Sequence, residues 1–106
     1  MFVLDSHCDT PSQIHRLRDL SLDNEFAHVD FPKLKKGGVD GAFFALYIPA
    51  DLDVAAAREY MMCLLEDVRR TVSDNADKAT LTISHSQALQ NKTDGRFSVF
   101  LGLENG

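Results

Sequence analysis

The sequence is poor in the features that would tie it to a membrane, an oxidising compartment or a nucleic acid. It contains no apolar run approaching the roughly 20 residues of a membrane-spanning helix. Its N-terminus lacks the basic region, apolar segment and cleavage site of a secretory leader, so it reads as cytoplasmic. Two cysteines, Cys8 and Cys63, cannot build a disulfide framework, and reduced thiols are expected. A net charge of -5 without a Lys/Arg stripe argues against nucleic acid as a partner. The basic residues that do cluster, Lys33, Lys35 and Lys36, suit a solvated helix face. There are no internal repeats and no low-complexity segments.

What remains is an ordinary globular composition, 44% apolar and 25% charged over 106 residues. Residues 2–5, "FVLD", read as a short buried strand. Thr10 and Pro11 then open a helix running to about Leu20, and "SLDNEFAH" reads as loop. In "DFPKLKKGG", Asp30 can cap a small helix, with Pro32 in its first turn and Gly37 as the left-handed C-terminal residue. Gly41 to Pro49 form a second buried strand.

The strongest helical signal follows Asp53. Val54, Ala57, Tyr60, Met61, Leu64, Leu65, Val68 and Val72 draw one apolar stripe at spacings of three and four. Residues 80–83 read as a short extended piece, a helix begins after Ser84, and Asp94-Gly95 makes a turn. "RFSVFLGLENG" then supplies a third apolar strand ending at Glu104. Strands alternating with helices imply an α/β fold with about three parallel strands and right-handed crossovers. Such a sheet leaves edges and an apolar face open, so the sequence reads as the front part of something larger.

The stretch "DSHCD", residues 5–9, admits three readings: a metal site, a cysteine nucleophile with its base, or a polar loop. Alternation along a strand would point Asp5, His7 and Asp9 one way and Ser6 and Cys8 the other. That disfavours a Cys8–His7 nucleophile pair and makes Cys8 a small buried hydrophobe facing the helices. His7 and Asp9 could together bind a divalent cation such as zinc, or form only a hydrogen-bonded pair. Glu104 would emerge at the same C-terminal rim, where a carboxylate can bridge two cations held about 3.5–4 Å apart. An exposed glutamate near a frayed terminus is the alternative. His15, His28 and His85 read as structural or solvated.

"DSHCDTP", "HVDFPKLKKGGVDGAFFALYIP" and "FLGLENG" together resemble the N-terminal portion of the membrane (renal) dipeptidase family, the M19 zinc peptidases. That family's pattern reads D-G-H-x-D, then x-D-x-P-[KR]-[LM]-x-x-G-x-V-G-x-Q-F-[WF]-[SA]-x-[YF], then G-[IVL]-E-G-G. The resemblance implies a metal-dependent-hydrolase (β/α)8 TIM barrel with two Zn2+ per complete active site. Its substrates would be dipeptides, some with a D-residue at the C-terminal position, cleaved by a water between the metals. His7 and Asp9 would bind one zinc, Glu104 would bridge both, and Asp5 would orient the site through hydrogen bonds.

There are departures from the pattern: Ser6 and Asn105 replace glycines and Ala42 replaces the usual glutamine. None is a ligand of the family, and Asn tolerates left-handed backbone nearly as Gly does. Length departs further, since a barrel takes about 250 residues. The family's remaining zinc histidines and its substrate- and water-handling residues come from later strands. Residues 1–106 would therefore be an N-terminal fragment of a single peptidase domain, with no catalytic residue of its own and no activity alone. A homodimer of the intact protein stays open. The competing reading is a stand-alone α/β module binding a ligand or partner, or a non-catalytic family member.

Overall fold

A computed structural model describes residues 1–14 and 19–106. Among these the elements run β1 (Leu4–Cys8), α1 (Pro11–Ile14), α2 (Phe31–Lys36), β2 (Gly41–Tyr47), α3 (Val54–Asp74), β3 (Ala79–Leu81), α4 (His85–Thr93) and β4 (Phe97–Glu104). The strands form one sheet in the order β1-β2-β4-β3, with every pairing parallel. The expected short extended piece is thus a fourth strand. Its Ala79, Thr80 and Leu81 pair with Phe97, Ser98 and Val99, along the free edge of β4. The expected continuation of the first helix through Leu17, and His15 with it, lies outside the described residues. Leu20 beyond it is fully buried, and its carbonyl accepts the Phe31 amide.

Helix starts follow capping chemistry. Asp30, Asp53 and Ser84 each accept an amide hydrogen bond from the residue three positions on, satisfying donors that the first turn leaves free. Along α3 the apolar stripe engages the core only from Tyr60 onward: Leu64, Val68 and Val72 are buried, with Tyr60 and Leu65 packed against them. Val54, expected in the stripe, is 89% exposed because the first turn overhangs the packed region. Among the described residues no helix is long and apolar enough to cross a membrane.

One face of the sheet carries the core. Ala42, Phe44 and Leu46 of β2 and Val99 of β4 are buried under the helices. Phe97 bridges Phe31 and Phe44 with ring centroids 6.3 Å from each. Each of the larger side chains here, Phe44, Leu46, Val99 and Phe97, contributes on the order of 1.5–3 kcal/mol by leaving water. The opposite face is open, and on it Phe43 and Phe100 stack at 4.9 Å while Tyr47 stays exposed.

The end of α2 differs from expectation by one residue. Gly37 has ordinary right-handed angles (φ -77), and the left-handed residue is Gly38 at φ 72. The Val39 amide can then reach back to the Leu34 carbonyl at 3.0 Å, closing the helix. A Cβ on Gly38 would meet nothing within 4 Å, so only backbone strain opposes a side chain there. Gly38→Ala is expected to cost about 1–2 kcal/mol in urea unfolding, with Gly38→Asn recovering most of the loss.

Candidate metal centre

The site begins with an irregularity in β1. Leu4 and Asp5 pair with Gly41 and Ala42, but Cys8 pairs with Phe44. Three residues advance on β1 against two on β2, a bulge that resets which side chains share a face. Asp5 therefore falls on the register face of Ala42 and Cys8, and not with His7 and Asp9 as strict alternation predicts. An Asx-type bond supports the bulge, with the Asp5 Oδ1 accepting the His7 amide at 3.1 Å. Asp5 thus braces the backbone of His7 and does not touch its ring.

Cys8 behaves as the alternation argument expects. It is buried in the helix-facing core, and its Sγ lies 2.9 Å from the Thr10 hydroxyl. A nucleophile pairing with His7 has no geometric support.

The structure brings His7, Asp9 and Glu104 together. The His7 Nε2 is 3.2 Å from the Asp9 Oδ1 and 3.5 Å from the Glu104 Oε2. One potential ligand atom from each residue lies within 4.8 Å of the others. Glu104 arrives there because β2 and β4 stay in register to their ends: Glu104 pairs with Tyr47, and the Ile48 amide donates to the Glu104 carbonyl at 3.1 Å. His28 and His85 take no part in this group.

These residues fit a divalent cation. An imidazole nitrogen and carboxylate oxygens suit a borderline ion such as zinc. The Glu104 side chain is 45% exposed overall, yet its Oε2 is shielded from solvent and accepts no hydrogen bond. A buried carboxylate oxygen without a donor carries a desolvation cost that a cation would relieve. At 3.5 Å the His7 ring is close enough to share such an ion but too distant to be a good hydrogen-bond donor.

A parallel α/β sheet whose C-terminal edge gathers an imidazole and two carboxylates is suited to metal-assisted hydrolysis. The chain belongs to the membrane dipeptidase family, peptidase family M19, whose family model matches residues 1–106. Among solved structures it is similar to the dipeptidase AC, a metallopeptidase of family M19, with a TM-score of 0.86 at 19% identity over 98% of this chain. It is also similar to a metallopeptidase from Rhodobacter sphaeroides, solved with a phosphinate mimic of the dipeptide L-Ala-D-Ala, with a TM-score of 0.83 at 18% identity over 98% of this chain. A third is the probable dipeptidase PvdM from Pseudomonas aeruginosa, with a TM-score of 0.75 at 14% identity over 97% of this chain. The fold is the α/β arrangement of the M19 TIM barrel. This chain spans 35%, 38% and 28% of the lengths of those three proteins, about a third.

Sequence reasoning singled out the ligand candidates but missed two features around them. The bulge has no signature in "LDSHC", where alternation is the default expectation. The role of Asn105 was also hidden, because its partner is 57 residues away. The one available signal was an asparagine standing where the family pattern has glycine.

Proposed function

We propose that these residues carry the first part of the active site of a zinc-dependent dipeptidase. His7 and Asp9 would hold one Zn2+, and Glu104 would be shared with a second. The observation that carries the reading is the shielded, donor-less Oε2 of Glu104 beside the His7 ring. The Asp5 carboxylate holds the His7 backbone through its amide, so that the imidazole is presented from a braced bulge. When bound, the cations would supply Lewis acidity, lowering the pKa of a bound water toward neutrality and polarising the scissile carbonyl.

The substrate class is the dipeptide, including those ending in a D-residue, as the ligand of the Rhodobacter relative suggests. Residues 1–106 form the N-terminal segment of a single barrel domain, and later strands supply the second ion's other ligands and the groups that handle substrate.

The test is metal analysis and dipeptide hydrolysis on the full-length protein. Two zinc ions per chain are expected, with hydrolysis lost on chelation and restored by zinc. Hydrolysis that survives complete removal of metal would overturn the reading. Residues 1–106 alone are expected to hydrolyse no dipeptide, and measurable turnover by them would remove the need for later strands.

A further inference from the structure

Asn105 is the only described non-glycine residue with positive φ, at 60. It follows Glu104 directly, at the point where β4 ends. In a parallel ladder each residue of one strand donates to, and accepts from, residues two apart on its neighbour. On this edge the Ser98 amide donates to the Asp40 carbonyl, and the Ile48 amide donates to the Glu104 carbonyl. Continued by one step, the ladder would have the backbone amide of residue 106 donate to the Ile48 carbonyl. The left-handed turn at Asn105 takes the backbone away before that bond can form. The Asn105 side chain replaces it, with Nδ2 donating to the Ile48 carbonyl at 2.8 Å.

Ile48 is thus held by two bonds, one to the Glu104 carbonyl and one from the Asn105 amide. Both bonds lie just after the Glu104 Cα and fasten the end of β4 to the exit of β2. The side chain that leaves this fastened point is the one whose Oε2 sits shielded beside His7. A glycine at 105 would permit the turn but could not supply the donor. An unfastened strand end would let Glu104 sample positions away from His7, and a ligand must be held to a fraction of an ångström to bind well.

We propose that Asn105 is a positioning residue for Glu104, its side-chain amide completing the β2–β4 ladder so that the carboxylate stays at the metal centre. This rests on the zinc reading above. The decisive variant is Asn105→Gly, which keeps the left-handed backbone and removes only the amide donor. Zn2+ affinity of the full-length protein is measured by competition with a chromophoric chelator, alongside thermal unfolding of the metal-free protein.

Asn105→Gly is expected to weaken Zn2+ binding about tenfold or more, the usual loss for a group that orients a ligand. Asn105→Ala, which adds backbone strain, is expected to lose at least as much. A merely structural role predicts a lower melting temperature of the metal-free protein with zinc affinity within twofold of the parent, and that result overturns the proposal. His7→Ala separates the two levels. If it too leaves zinc affinity unchanged, the metal reading itself has failed. If it loses zinc while Asn105→Gly does not, only the positioning role is overturned.

Discussion

His7→Ala in the full-length protein is expected to lose bound zinc and to lower kcat/KM for dipeptides by at least roughly 100-fold, about 2.7 kcal/mol of transition-state stabilisation. That figure is a lower bound, because even groups that only orient a ligand cost 10–100-fold when removed. Without the imidazole, two carboxylates remain, a set better suited to harder cations than to zinc. The change should leave folding nearly intact, since the His7 side chain is 53% exposed and stands outside the core. Circular dichroism close to that of the parent, with zinc absent, is therefore the expected pair of results. Unchanged zinc content in this variant would remove His7 from the site. Cys8→Ala is the contrasting substitution. It trims the core beside Thr10 but should leave zinc content and turnover near the parent's, and loss of turnover with zinc retained would revive the nucleophile reading.

The second large effect lies outside the metal centre. Asp30 is fully buried, and its carboxylate accepts the Lys33 amide at 2.8 Å, the Asn24 amide at 3.1 Å and the Lys33 ammonium. It caps α2 and ties the loop before that helix to it. Asp30→Ala removes the cap, worth about 1 kcal/mol, and strands a backbone amide at about 1–3 kcal/mol. Denaturant unfolding should therefore show a loss of about 2–4 kcal/mol. The Lys33 ion pair adds little to that loss because the ammonium is partly solvated.

Burial alone would push the Asp30 carboxyl up. The hydrogen bonds from the Lys33 side chain and the two amides outweigh it and hold the group below the usual carboxylate value of 3.8. The charged form is therefore the one the fold stabilises. That contribution is fully present above the unfolded pKa and is lost as pH falls through the lowered folded value. The difference between the parent and Asp30→Asn should accordingly be largest near neutrality and shrink below about pH 4. A gap independent of pH would show that charge is not what Asp30 contributes. Lys33 is raised above 10.5, chiefly by its bonds to Asp23 and Asp30. Its contribution is constant below that value and fades only as pH rises past it.

Much of the fold is legible residue by residue because local chemistry decides it. Asp53 with an apolar stripe after it, Ser84 with a donor three residues on, and Asp30 before Phe-Pro each specify a helix start within the sequence itself. The strands at Gly41–Tyr47 and Phe97–Glu104 are apolar on both faces near their starts, as buried parallel strands are. The short β3 was visible only as an extended piece, because three residues acquire a sheet identity from the edge they join. Gly37 and Gly38 are equivalent as letters, and the closing bond from Val39 to Leu34 selects the second for the left-handed turn.

The candidate site divides along the same line. The sequence by itself determined which donors exist and at which strand ends they stand: His7 and Asp9 at the end of the first strand, Glu104 closing the last. It determined also that Cys8 turns inward. Only the tertiary structure decided that these groups meet. The β1 bulge parts Asp5 from the face that His7 and Asp9 share, the in-register β2–β4 ladder carries Glu104 alongside, and Asn105 fastens its end across 57 residues. The reason is physical. Covalent neighbours dictate caps and periodicity, whereas register and the shielding of one carboxylate oxygen depend on which backbone lies beside which.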